Sequence, residues 1–182
     1  MRVIAGEAGG RPLKAPPDGV RPTMDIVRGA IFSSLGDLVP DARVLDLFAG
    51  SGGMGVEALS RGAASATFVE SDARCVRCVR ENLRRAGAEG SVQTMDVFRF
   101  LDLYAGEENF DIIFADPPYA KYPGDPDHAA TLAGSERLAA ALSPGGVFVL
   151  ERQSGGRLPD GPLAAGKSKT YGGSEILYFF RE

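Results

Sequence analysis

The tetrapeptide Asp116-Pro117-Pro118-Tyr119 combines an acid, a rigid backbone and an aromatic ring. Its two prolines lack N–H donors and restrict the backbone, so the carbonyl oxygens remain as acceptors. An acidic side chain and such carbonyls suit the N–H bonds of an exocyclic amine, and the Tyr119 ring can stack on a planar base. We therefore predict that Asp116, Pro117 and Tyr119 are catalytic residues that hold a nucleobase. The alternative is a rigid turn with a half-buried tyrosine.

A glycine-rich loop is a second candidate site. In LDLFAGSGGMGVEAL an apolar strand ends at Asp46–Phe48, and glycines follow at positions 50, 52, 53 and 55 before a helix. Glycines let the backbone approach a ligand closely, and a helix N-terminus adds free N–H groups. Glu70 follows 20 residues after Gly50, at the end of the next strand, where its carboxylate can accept two hydrogen bonds from a ribose.

Two other interpretations of this loop remain open. The spacing Gly50-x-Gly52-x-x-Gly55 followed by Glu70 also matches the dinucleotide fingerprint, and a tight turn without any ligand has the same composition. A dinucleotide needs two mononucleotide halves and a substrate-binding part, whereas residues 43–182 number only 140. Asp46 is unfavourable beside a pyrophosphate, but it suits a cationic cofactor with an amino-acid end.

Strands alternate with helices from residue 43 onward, and both candidate sites follow the ends of strands. The strands are predicted over residues 43–48, 66–70, 91–95, 109–115 and 147–150, the helices end near residues 60, 86 and 142, and a hairpin turns over Gly172-Gly173. This alternation predicts an α/β, Rossmann-like fold with a mostly parallel sheet, helices on both faces and a C-terminal antiparallel hairpin. Ligands of such sheets bind at the carboxyl ends of the strands.

The segment before residue 37 has a different pattern. RVIAG and RPLKAP read as two short strands of a β-hairpin, and Thr23 is a plausible N-cap for a helix to about Leu35. We predict an N-terminal appendage over residues 1–36 and a second domain over residues 37–182. Five basic side chains against three acidic ones give residues 1–34 a net charge of +2, so this segment is the more anion-facing part.

Composition limits the class of protein. The chain has 182 residues, of which 44% are apolar and 24% charged, which predicts a folded domain and excludes a disordered chain. A net charge of −4 argues against binding nucleic acid through bulk positive charge. Two cysteines, no signal-peptide pattern and no long apolar run predict a cytoplasmic protein without membrane contact.

Several motifs together resemble a known family. Asp46-Leu-Phe-Ala-Gly-Ser-Gly52 with Asp116-Pro-Pro-Tyr119 resembles the class I S-adenosylmethionine-dependent amino-methyltransferases. The hairpin, Arg21-Pro-Thr23, Arg28-Gly-Ala-Ile-Phe32, Gly55-x-Glu57-Ala-Leu-Ser-Arg-Gly62 and Phe68-Val-Glu70 narrow the resemblance to the RsmD family. That family methylates N2 of a guanine in 16S rRNA of the small ribosomal subunit. The resemblance covers nearly the whole chain except residues 120–135 and 152–168, and Gly29 departs from the expected Glu or Lys.

The resemblance implies roles for individual residues. The residues that would bind S-adenosylmethionine are Asp46, Phe48, Gly50, Ser51, Gly52, Glu70, Asp96 and Val97. The loop residues would hold the methionine end, Glu70 the ribose, and Asp96 with Val97 the adenine. The alternative for Asp96 is a surface helix cap. The residues that would contact 16S rRNA are Arg2, Arg11, Lys14, Arg21 and Arg28. We expect a monomer without metal.

Two other functions stay open, and several features are given no role. An N6-adenine DNA methyltransferase shares the Asp-Pro-Pro-Tyr loop but usually carries a target-recognition domain, and a nucleotide- or RNA-binding module needs no catalysis. Cys75 and Cys78 lie inside a predicted helix, where CxxC spacing alone does not make a zinc site. His128 is expected to be a surface residue of a polar loop. Arg74, Arg77, Arg80, Arg84 and Arg85 are expected to form a solvated helix face.

Overall fold

Seven strands of the described residues form one sheet in the order β3-β2-β1-β4-β5-β7-β6. The computed structural model describes residues 1–16, 25–107, 109–120, 122, 124–155 and 158–182. The strands are β1 Arg43–Leu47, β2 Ser65–Glu70, β3 Ser91–Thr94, β4 Phe110–Ala115, β5 Leu142–Gln153, β6 Ala164–Tyr171 and β7 Ser174–Phe180. The helices are α1 Asp25–Leu35, α2 Gly53–Ser60, α3 Ala73–Ala86, α4 Val97–Tyr104, α5 His128–Ala133 and α6 Glu136–Ala141, with a 3₁₀ turn at Gly36–Leu38.

Parallel pairing joins the first five strands, and the last two strands are antiparallel. β1 lies between β2 and β4, β3 pairs with β2, and β5 pairs with β4. β7 runs antiparallel to both β5 and β6. The predicted mostly parallel sheet with a C-terminal antiparallel hairpin is confirmed. Since β1 and β4 are covered on both faces, they consist of nearly continuous apolar residues, as parallel strands commonly do.

Each face of the sheet carries its own apolar core. Alternate residues of β1 point to opposite faces, so Val44 belongs to the core beneath α1, α2 and α3, and Leu45 to the core beneath α4, α5 and α6. Both side chains are fully buried. The strands β1 and β4, which both candidate loops follow, lie between the two cores.

The N-terminal segment packs on the first of these cores. Its predicted hairpin is short: an antiparallel bridge joins Arg2 and Pro12, and the Val3 N–H donates to the Arg11 carbonyl and the Leu13 N–H to the Met1 carbonyl, each over 3.0 Å. Ile4 and Ala5 donate their backbone N–H groups instead to the two carboxylate oxygens of Glu57 on α2, over 2.7 and 3.1 Å. Thr23, the predicted N-cap of the helix that ends near Leu35, lies outside the described residues.

One core therefore contains residues from both sides of the predicted domain boundary. Val3, Ala8 and Leu13 are buried in the same cluster as Val27 of α1 and Val44 of β1. Residues 1–16 and α1 are thus built into the main body of the protein. The division at residue 36, and the role of the first part in facing RNA, stay predictions.

Two helical details differ from expectation. The single helix predicted to end near Leu142 is two helices, because the chain breaks at Gly134 and Ser135 begins α6 by accepting a hydrogen bond from the Leu138 N–H over 3.2 Å. Helix α4 is not among the predicted helices, although a helix cap was the alternative role of Asp96; Asp96 caps α4, and Val97, Phe100 and Leu101 bury its apolar face.

The prediction that the two cysteines lie inside a helix is confirmed. Cys75 and Cys78 are buried side chains of α3, and both are free thiols. Among the described residues, no helix combines the length and the apolar character that crossing a bilayer requires.

Candidate active site

The glycine-rich loop turns sharply between β1 and α2. Phe48, Gly50 and Gly52 have positive φ angles of 55°, 55° and 75°, and α2 begins at Gly53. A positive φ is uncommon for a residue other than glycine, so the Phe48 backbone is held in a sparsely populated conformation by its surroundings. The turn places the N-terminus of α2 at the carboxyl edge of the sheet.

Two of the loop glycines are required by packing inside the protein. A Cβ on Gly55 would overlap the Phe68 ring of β2, and one on Gly52 would lie 3.1 Å from Val79 Cγ1 of α3. These close approaches let α2 lie directly on β2 and α3. The glycine spacing therefore has a structural cause, and it also lets a ligand approach the loop backbone closely.

Two carboxylates hold the loop in shape. Asp46 is 4% exposed and accepts a hydrogen bond from the Gly55 N–H over 2.9 Å. Burial raises the pKa of Asp46 to about 7, although the Gly55 hydrogen bond opposes this rise and the Glu70 charge adds to it. Glu70 accepts hydrogen bonds from the Gly50 N–H over 2.9 Å and the Asp72 N–H over 2.8 Å. A cation at this loop would favour the ionised form of Asp46.

Asp96 and Val97 open helix α4 beside this loop. Asp96 is exposed and caps α4 by accepting a hydrogen bond from the Arg99 N–H over 3.0 Å, which is the alternative role considered for it. Val97 is 3% exposed and packs into the second core. Val97 therefore has too little exposed surface for the packing against an adenine ring that was predicted for it. The half-buried Phe98 offers such a surface instead, with its ring centroid 6.3 Å from that of Phe48.

The expectation that His128 is a bland surface residue is wrong. Asp127 caps α5 by accepting a hydrogen bond from the Ala130 N–H over 2.9 Å, which makes His128 the first helical residue. The His128 ring centroid lies 5.8 Å from that of Phe48 and 5.3 Å from that of Phe98. The Asp127 cap was the signal in the sequence that could have located this aromatic cluster.

The second candidate loop leaves the end of β4 at the same edge of the sheet. Asp116 is half-buried, Pro117 is buried and Pro118 is exposed. Tyr119 is half-buried, and its hydroxyl shares a hydrogen bond of 3.0 Å with the hydroxyl of Ser174 at the start of β7. The loop thus rests on the C-terminal hairpin.

A cavity of about 20 Å³ joins the two loops. Asp46 from the glycine loop and Asp116 from the second loop both line it. A third carboxylate, Glu151 of β5, lines it as well and was not among the predicted site residues. The sequence signal for Glu151 is an acid directly after the buried strand residues 147–150. The structure therefore brings the two predicted acids to one place.

The predicted RNA-contacting residues are in different environments. Arg2 and Lys14 are exposed, Arg11 is exposed and donates from its guanidinium to the Ala86 carbonyl over 2.7 Å, and Arg21 lies outside the described residues.

The prediction for Arg28 is wrong. Its side chain is 1% exposed and lies between Asp25, at 3.0 Å, and the buried Glu57, at 3.6 Å. Helix α1 packs this face against α2, and a buried charge requires such partners. Arg28 therefore joins α1 to α2.

The arginines of α3 follow the expected pattern. Arg74 pairs with Asp72 over 2.6 Å and Arg84 with Glu81 over 2.9 Å, both at the surface, while Cys75, Val79 and Leu83 face inward. The prediction that these arginines form an exposed charged face is confirmed.

Comparison with known proteins assigns the chain to a family. The family model described as Conserved hypothetical protein 95 matches residues 1–180. The chain belongs to this family. The matched family corresponds to the RsmD family, so the resemblance to that family found in the sequence motifs is confirmed. A Bacillus subtilis (strain 168) protein named "Putative rRNA methyltransferase YlbH" is 38% identical over 178 residues, which is 94% of either chain. The Escherichia coli (strain K12) "Ribosomal RNA small subunit methyltransferase D" is 40% identical over 123 residues, 66% of this chain and 61% of that protein.

Solved structures of similar proteins share the whole fold. A hypothetical protein of Thermus thermophilus superposes with a TM-score of 0.83 at 34% identity, covering 100% of this chain and 99% of that one. The Escherichia coli "Putative methyltransferase yhhF" also reaches 0.83, at 32% identity and with 100% and 98% covered. The fold is therefore that of class I methyltransferases.

Proposed function

We propose that this protein transfers a methyl group from S-adenosylmethionine to the exocyclic N2 amine of a guanine in 16S rRNA of the small ribosomal subunit. The observation that supports it best is the cavity shared by Asp46 and Asp116. A cofactor-binding loop and an amine-binding loop that meet at one point are the arrangement that direct methyl transfer requires. Relatives named as rRNA methyltransferases support the same substrate class.

The residues of the glycine-rich loop fit the methionine end of the cofactor. S-adenosylmethionine, when bound, supplies an electrophilic methyl group on a positively charged sulfur. Buried Asp46, with its raised pKa, is a favourable neighbour for a cationic ligand because the ligand would stabilise its ionised form. Phe48, Gly50, Ser51 and Gly52 would complete this part of the site.

The remaining cofactor contacts would lie along the same edge. Glu70 bonds to two backbone N–H groups, and each carboxylate oxygen keeps a further lone pair for a ribose hydroxyl. Asp96 is exposed and can accept a hydrogen bond from the adenine amine while it caps α4. Phe98 and Phe48 would supply the apolar surface that buried Val97 does not.

Asp116 and Tyr119 would act on the target base. Asp116 and the carbonyl of Pro117 accept hydrogen bonds from the guanine amine and direct its lone pair toward the methyl group. Tyr119 stacks on the ring, which requires that the base leave its RNA stack. As the amine becomes positively charged during transfer, Asp116 stabilises that charge and receives a proton.

Substrate capture would depend on local positive charge in the N-terminal part. Arg2, Arg11 and Lys14 are exposed, and Arg21 extends the same basic sequence. Few phosphate contacts by an acidic protein imply weak binding to naked RNA, so an assembled subunit in the cytoplasm is the better substrate.

The test is mass spectrometry of rRNA nucleosides after small subunits lacking the modification have been incubated with the protein and S-adenosylmethionine. N2-methylguanosine is the expected product, and Asp116→Asn should abolish it while calorimetry shows unchanged binding of S-adenosylhomocysteine. Asp111→Asn is the matched control, because Asp111 lies at the opposite end of β4 and pairs with Arg43 over 3.2 Å. Formation of N6-methyladenosine, or no methylated nucleoside, would contradict the proposal.

A further inference from the structure

The hydrogen bond between Tyr119 and Ser174 connects the base-binding loop to a distant part of the chain. Ser174 follows the Gly172-Gly173 turn and is 3% exposed. Buried hydroxyl groups are nearly always hydrogen-bonded, and the Ser174 hydroxyl has the Tyr119 hydroxyl at 3.0 Å. Fifty-five residues separate the two side chains in the sequence. The bond is therefore a tertiary contact made by the fold.

Ser174 is itself held firmly. In the antiparallel register of β5 and β7 it lies opposite Gln153, at the end of the ladder nearest the catalytic loop. The next pair in that ladder, Arg152 and Glu175, forms a largely buried ion pair of 2.8 Å. The hydroxyl of Ser174 is consequently a fixed point relative to the sheet.

Tyr119, in contrast, has space beside it. A cavity of about 160 Å³ is lined by Tyr119 together with Pro117, Pro118, Asp127 and Arg152. A tyrosine side chain takes different staggered rotamers where space permits. Without its bond to Ser174, the Tyr119 ring would have room to turn toward this cavity.

We propose that Ser174 is a positioning residue that holds the Tyr119 ring in the orientation that stacks on the target base. This inference rests on the proposed function, since it deepens the role of Tyr119 in that site. Ser174 acts through the Tyr119 hydroxyl and not by touching the substrate. Ordering the ring before the base arrives reduces the conformational freedom that is lost on binding.

A double-mutant cycle tests this role. Ser174→Ala and Tyr119→Phe each remove the hydrogen bond and keep the rest of the side chain, so each should lower kcat/KM for small subunits by about two- to tenfold. In the double variant, Ser174→Ala should lower kcat/KM no further than Tyr119→Phe alone does, because the bond between the two hydroxyls is already gone. Ser174→Thr keeps a hydroxyl at this position and should retain activity. Ser168→Ala, on exposed β6 of the same hairpin, is the matched control and should retain full activity.

A merely structural role for Ser174 gives a different result. If Ser174→Ala lowers kcat/KM as much in the Tyr119→Phe protein as in the wild type, the positioning role is refuted. Unfolding in urea and calorimetry with S-adenosylhomocysteine, carried out on the same variants, should show unchanged cofactor affinity in folded proteins. A wild-type protein that methylates no subunit would instead overturn the proposed function, and the inference with it.

Discussion

Replacing Asp46 by asparagine should stabilise the protein at alkaline pH and leave its stability almost unchanged at acidic pH. Asp46 has an ordinary pKa of 3.8 and a pKa of about 7 in the folded protein, chiefly because of burial. Between these two values the unfolded chain is ionised at this position and the folded chain is not. The free energy of unfolding of the wild type should therefore fall as the pH rises from about 4 to about 7.

The magnitude follows from the size of this rise in pKa. A change from 3.8 to about 7 corresponds to a loss of up to about 4 kcal/mol once Asp46 is ionised in both states. Asparagine does not ionise, and its amide oxygen can still accept the hydrogen bond of the Gly55 N–H. For a chain of this size, about 4 kcal/mol corresponds to a gain in Tm of roughly 8–16 °C.

Urea unfolding of both proteins from about pH 4.5 to about pH 8.5 measures the difference directly. The exposed Asp37 is the control, and Asp37→Asn should retain the fall in stability with rising pH that the wild type shows. An Asp46→Asn gain that does not grow with pH would refute the reasoning. The same variant should bind S-adenosylmethionine more weakly in calorimetry, since the carboxylate that favours a cationic ligand has been removed.

Three further predictions concern packing and charge. Gly55→Ala should lower the free energy of unfolding measured in urea by about 1–3 kcal/mol, because its Cβ meets the Phe68 ring. Gly29→Ala in α1 should raise the same free energy by about 0.5–1 kcal/mol, since the nearest neighbour of its Cβ is a methyl group 3.7 Å away. Arg28→Met should cost about 3 kcal/mol in the same assay but leave the salt dependence of subunit binding unchanged, because Arg28 is buried. Lys14→Ala should leave stability unchanged and make the slope of log affinity against log salt shallower by somewhat under one, as measured by filter binding.

Both candidate loops could be found from sequence because local signals mark them. Apolar runs end at Phe48 and at Ala115, and the glycines or prolines that follow disfavour a strand. The parallel topology then places the two strand ends at the same edge, which follows from alternation of strands and helices. The proximity of Asp46 and Asp116 at one cavity can therefore be inferred from the sequence.

Long-range pairing explains most of what sequence analysis missed. Arg28 was grouped with other basic residues by charge alone, while its burial depends on Glu57, a residue of another helix. The contact between Tyr119 and Ser174 likewise depends on the register of β5 and β7. Helix α4 was missed for a different reason: Asp96 was assigned first to the adenine, and its alternative role as a helix cap was not extended to a helix over the residues that follow.

The attachment of residues 1–16 to α2 and α3 has a consequence for synthesis on the ribosome. The partners of this segment include Glu57 of α2 and Asn82 and Ala86 of α3, so its hydrogen bonds are complete only after α3 has been made. Translation at roughly 5–20 residues per second needs about 4–14 s to cover the stretch between Pro16 and Ala86. During that interval the core that receives Val3, Ala8 and Leu13 lacks its α3 side chains. The first residues to be synthesised thus complete their native contacts only once α3 has been synthesised.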